Sequence, residues 1–135
     1  MSKTNKQLTL LTTNAIGFPF LIRHKAIKFT DETNTTKVIH RTTSGVEILS
    51  YKKFMNERHI INHKTYPLHR EFDAETILVK YNQKPFNWMS NNCEDFTSQV
   101  IEETCQVEMT PHSPQRRNWI IVLAVILILM ILIKR

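Results

Sequence analysis

Alternating apolar and polar positions mark residues 20–29 (FLIRHKAIKF) as a strand. Phe20, Ile22, His24 and Ala26 share one face, and Leu21, Arg23 and Lys25 the other. The turn-rich DETNTT at 31–36 ends it. A second strand covers 37–41, with Val38 and His40 on one face, and a third short strand covers 46–49. Ser50 is placed to cap a brief helix carrying Phe54 and Met55. Residues 71–81 are helical by composition, with Phe72, Ile77 and Leu78 apolar. Asn92 opens a further helix that reaches about Cys105. Asp95 stands at its third position as in a capping box, and Glu94 complements the helix dipole.

The last pattern is the run 119–133, WIIVLAVILILMILI, without charge, Gly or Pro. As a helix it is roughly 22 Å long, short against a bilayer core of about 30 Å. Trp119 at one interface and Lys134 and Arg135 snorkelling at the other extend its reach. The expectation is therefore α+β. A small antiparallel sheet packs on a helix that starts with Cys93, and a C-terminal transmembrane helix follows. Residues 1–109 form the domain, 110–118 with Pro111 and Pro114 a linker, and 119–133 a membrane anchor. The polar first residues and the short Leu8–Leu11 stretch do not make a signal peptide. That layout predicts a single-pass protein with its domain on the cytoplasmic side.

Charge sharpens this picture. The formal net charge is +6, but Arg116, Arg117, Lys134 and Arg135 flank the apolar run. Without them, 14 basic residues face 12 acidic ones. The excess reads as membrane punctuation, and no motif or aromatic-basic interleaving points to nucleic acid. Two glycines exclude a glycine-rich phosphate loop, and two cysteines exclude a disulfide scaffold or a Cys-based zinc site. His59, His63 and His69 lack a carboxylate or thiol ligand at supporting spacing, so no metal and no other cofactor is expected.

Chemistry centres on Cys93. As the first helical residue after Asn92 it faces the positive end of the helix dipole, which favours thiolate. Cys93, Phe96, Val100 and Thr104 fall on one helix face, so the thiol points toward the domain body; the bland alternative is an inert buried cysteine. Cys105, roughly 18 Å further along the helix, cannot bridge to it. A hairpin turning about Glu32 sets His24 against His40 and Ala26 against Val38, with Cβ atoms about 4.5–5.5 Å apart. A register slip of two keeps both histidines on that face. A thiol at a helix start with two histidines on a sheet face suits nucleophilic catalysis: one imidazole takes the thiol proton and a second group orients it.

The segment NNCEDF at 91–96 resembles the NCEHF signature of the lecithin:retinol acyltransferase-like family, relatives of NlpC-type thiol peptidases. RHKAIKF and KVIHRT are similar to that family's two histidine strands, VEILSYKKFMNERHI to the segment after them, and PFNWMSNNCEDF to the approach to the nucleophile. Asp95 stands where the motif has histidine, the Gly-Asp that usually opens the first strand is replaced by Asn14–Pro19, and the hairpin between the histidines is longer. The resemblance implies Cys93 as nucleophile, His24 as general base and His40 as the residue orienting it. It implies an acyl-thioester passed to water, an amine or a hydroxyl, with a phospholipid or other acyl donor as substrate. The alternatives are an NlpC-like thiol peptidase or amidase and a non-catalytic membrane-anchored binding domain.

Overall fold

The computed structural model describes residues 6–15, 18–56, 58–86, 92–109 and 114–134; for 18–22 and 114–119 it describes the backbone. The elements are β1 (Gln7–Ala15), β2 (Phe18–Thr30), β3 (Thr36–Thr42), β4 (Gly45–Ser50), α1 (Tyr51–Phe54), β5 (Ile60–Pro67), α2 (Ala74–Asn82), α3 (Cys93–Cys105) and α4 (Pro114–Lys134). They build an α+β fold on one antiparallel five-stranded sheet in the order β4-β3-β2-β1-β5.

The β2–β3 turn fixes the register on which the site depends. Asp31 Oδ1 accepts from the backbone N–H of Thr33 (3.0 Å) and of Thr35 (2.9 Å). Asn34 takes the left-handed conformation (φ 62°) that a short polar side chain tolerates. The loop therefore runs through Thr35, and Thr30 pairs with Thr36. Ala26 consequently faces His40, and the expected His24–His40 opposition is corrected by a slip of two residues. The slip is even, so both histidines keep one face. The β3–β4 turn is tighter. Thr42 pairs with Gly45, whose φ of 141° suits glycine, and Asn82 Oδ1 accepts from Val46 N at 2.7 Å beside it.

The sheet buries both faces. On one, Ile27, Phe29, Ile39 and Val46 pack with Ile77 and Tyr81 of α2 and with Phe96, Val100 and Ile101 of α3. On the other, Leu11, Ala26 and Val38 form a small cluster under Phe54 of α1. Helix α2 begins at Ala74, three residues later than its composition suggests. Asp73 caps it, accepting from Glu75 N (3.1 Å) and Thr76 N (3.4 Å). Helix α3 starts as expected, and its capping box is complete. Asn92 Oδ1 accepts from Glu94 N and Asp95 N at 3.0 Å each, and Asp95 Oδ2 accepts from Asn92 N at 3.2 Å. Its far end is tied down by His69 N and Arg70 N, both donating to Thr104 O.

The transmembrane anchor expected at 119–133 is overturned, and with it the single-pass membrane location and the membrane partnership through this helix. Among the described residues no helix is long and apolar enough to cross a membrane. The physical reason is length. Fifteen apolar residues rise only about 22 Å, and the helical turn that precedes them in α4 carries Gln115, Arg116, Arg117 and Asn118. Those residues lie in what the sequence suggested as a linker; 110–113, the side chain of Trp119 and Arg135 fall outside what the structure describes. The reading of the flanking basic residues as membrane punctuation falls with the anchor.

Candidate functional site

The site grows from strand alternation on the α1 face of the sheet. His40 on β3 is buried and lies directly across from Glu47 on β4. Directly opposed side chains share a face at close range, and His40 Nε2 sits 2.8 Å from Glu47 Oε1. His24 on β2 is the diagonal neighbour of His40. Diagonal Cβ atoms stand about 7–8 Å apart, within reach of ring side chains, and His24 Nε2 lies 2.8 Å from His40 Nδ1. The register slip therefore leaves the two histidines joined. Phe54 of α1 closes the pair from above, its ring centroid 6.0 Å from that of His24 and 5.1 Å from that of His40.

Burial dominates the titration of both rings. Desolvation, then the neighbouring His40, then Arg58 hold His24 well below the ordinary histidine range. His40 is also held low by burial, with Glu47 pulling the other way and Arg58 adding to the depression. Both imidazoles are thus neutral near pH 7, the state in which a histidine can take a proton.

Cys93 stands at the start of α3, on the opposite side of the sheet. The body of α3 packs on the face that carries Ile27 and Ile39, whereas the histidines lie on the other. The β2–β3 pairing runs as far as Ala26↔His40, and β2 continues beyond it toward Lys25 and His24. The backbone and the charge of Lys25, the residue after His24, act on the thiol at the start of α3. Cys93 is buried, and no hydrogen bond joins it to His24 among the described residues. The expected thiolate is corrected. Burial pushes the Cys93 thiol up, and the Lys25 backbone bond, the Lys25 charge and the amide of Cys93 itself offset this only in part. The Glu94 carboxylate, 3.5 Å from Lys25 Nζ, adds to the rise. Cys105 is also buried and free, with its thiol raised by burial.

Two residues of this site escaped the sequence reading. Glu47 was legible in principle: strands 37–41 and 46–49 joined by the short turn at Thr43–Ser44 place it opposite His40. Arg58 was not, because it sits in an irregular segment after α1. Its Nη1 donates to Asn14 O (3.1 Å), and its Cζ lies 4.9 Å from the centre of the Phe54 ring. It is the cation common to both sides of the site: it depresses both histidines, and the charges of Cys93 and Glu47 act on it in turn. His59, His63 and His69 do not converge, and among the described residues no group of three His, Cys, Asp or Glu could hold a metal ion.

In comparisons with known proteins, no family model matches the chain, and no curated protein or solved structure matches it significantly. The likeness to lecithin:retinol acyltransferase-like proteins therefore rests on the residues quoted above, of which 57 and 87–91 lie outside the described residues. The arrangement joins a neutral imidazole pair to a carboxylate, and a thiol stands at the start of the helix that packs on the other face of the same sheet. That suits proton abstraction from the thiol followed by attack on an acyl carbon.

Proposed function

We propose that the protein is a cysteine-dependent acyltransferase or acyl hydrolase. Cys93 is the nucleophile, His24 the general base and His40 the group that orients it. The observation that carries this reading is the 2.8 Å bond between His24 and His40 on the strand whose next residue, Lys25, acts electrostatically on the thiol of the first residue of α3. The separation of thiol and imidazole does not argue against it, since catalytic hydrogen bonds are often long in the absence of substrate. The cycle balances simply. His24 takes the thiol proton and the sulfur bonds to the acyl carbon. The alkoxide of the ester leaves as the alcohol, taking the proton back from His24. Water or a second acceptor then cleaves the thioester by the same exchange. The substrate is an ester-linked acyl donor, a phospholipid being the case the family resemblance favours.

A second reading draws on one specific observation. Cys93 is only 7% exposed and its thiol is raised, as in a domain that binds without catalysis. Intact-mass spectrometry after incubation with a short-chain phosphatidylcholine, and separately with an activated acyl ester, decides between them. The expected result is one acyl adduct, absent in Cys93→Ala, retained in Cys105→Ala and much slower in His24→Ala. Absence of any adduct with either donor favours the binding domain.

A further inference from the structure

His24, His40 and Glu47 form one row across three neighbouring strands, and two bonds of 2.8 Å link them. The chemistry of the outer end dictates the protons along the row. An ionised carboxylate only accepts, so Glu47 Oε1 requires a hydrogen on His40 Nε2. In a neutral imidazole the other nitrogen is then the acceptor. His40 Nδ1 therefore accepts from His24 Nε2–H, and the lone pair of His24 lies on Nδ1. We propose that Glu47 is a positioning residue: from two side chains away it places the proton of His24 on Nε2 and leaves Nδ1 as the basic atom. The importance of that atom rests on the acyl-transfer reading; the proton positions do not.

Removing the carboxylate removes the constraint. His40 could then carry its proton on Nδ1 and donate to His24 Nε2, which would move the His24 proton to Nδ1 and occupy the base. No other described group stands ready to replace Glu47. Phe54 from α1 is apolar, and Arg58 from the following segment only donates. From β1, Thr13 stands across from His24, and its hydroxyl is engaged with Asn14 O at 3.2 Å. From α3, Cys93 makes no hydrogen bond to either histidine among the described residues. The Glu47 side chain is half exposed, so its replacement leaves the core intact.

Long-range proton–nitrogen NMR of the histidine rings in the full chain at neutral pH tests this directly. In the wild type both His24 and His40 are expected as the Nε2–H tautomer. Glu47→Gln offers both an acceptor and a donor to His40 Nε2, so its pattern should be intermediate. Glu47→Leu should shift both rings away from it, and should slow acylation of Cys93 roughly tenfold, the scale of losing a partner that orients an imidazole. Wild-type tautomers in Glu47→Leu overturn the proposal. The two readings fail separately. The expected tautomers without an acyl adduct leave Glu47 in its role and remove the enzyme. An adduct formed with unchanged tautomers in Glu47→Leu does the reverse.

Discussion

The two faces of the sheet are built to different ends. One is sealed by α2 and α3 over a continuous apolar layer from Leu8 and Leu10 through Ile27 and Ile39 to Phe96 and Ile101. The other carries the four-residue helix α1, a cluster of Leu11, Ala26, Val38 and Phe54, and then polar groups: His24, His40, Glu47 and Arg58. Apolar burial is the main stabilising term in a domain this size, so the first face holds the fold. The second carries desolvated imidazoles that are costly unless bonded, and Phe54 keeps them dry. Cys93 starts the helix that packs on the first face, and the backbone and charge of Lys25, the residue after His24, act on its thiol.

The sharpest test of this division is Phe96→Ala. Phe96 is fully buried and meets Tyr81 edge to face at 5.1 Å. Its loss should cost about 3–5 kcal/mol, read as a fall in the urea midpoint. Phe54→Ala empties a smaller cluster with more room to relax; it should cost about 2 kcal/mol while abolishing acylation of Cys93. Equal stability costs with acylation intact would collapse the distinction. Next in size is Gly45→Ala, at about 2 kcal/mol. An added Cβ would stand 2.5 Å from Asn82 Oδ1, which is held in place by Val46, and φ is positive as well. Asn92→Ala removes the side-chain half of the capping box and should cost about 1–2 kcal/mol. Because Cys93 is the first residue of that helix, its acylation should suffer more than stability does.

What could be read beforehand follows the same physics. Strands β2, β3 and β4 were legible because alternation survives where one face is more polar than the other, and the α3 cap because Asn92 and Asp95 carry their own local chemistry. Strand β1 was not. It lies between β2 and β5 and is buried on both faces, threonines included, so QLTLLTTNA shows no clean alternation. Strand β5 was missed for the opposite reason: an edge strand exposed along nearly its whole length has no face to mark. The His24–His40 pairing was legible as a shared face, but its register was not, since it depends on how far Asp31 extends the turn. The Cys93 thiol was read as pointing into the domain body, but the helix dipole was expected to outweigh that burial, and burial is the stronger of the two.

The smallest expected effect separates the faces by pH. His24 has its pKa held below the ordinary 6.5 in the folded protein, with burial as the first cause. Below pH 6.5 the unfolded chain binds a proton that the folded chain refuses, so stability falls as pH falls from 6.5 toward the folded value. Above 6.5 the group is neutral in both states and contributes nothing. His40, depressed in the same direction, adds to the slope. Asp31 acts in a separate window. Its bonds with Lys37 and Thr33 hold it below the ordinary 3.8, so its contribution is present above 3.8 and lost only as pH falls further. Urea midpoints at about pH 8 and about pH 5 isolate the histidines, whose ordinary range lies between. The wild type should be less stable at the lower pH, and His24→Gln should shrink the difference while Asp31→Asn leaves it unchanged. A difference that survives His24→Gln in full would mean that folding leaves the His24 pKa at its ordinary value and that burial does not depress it.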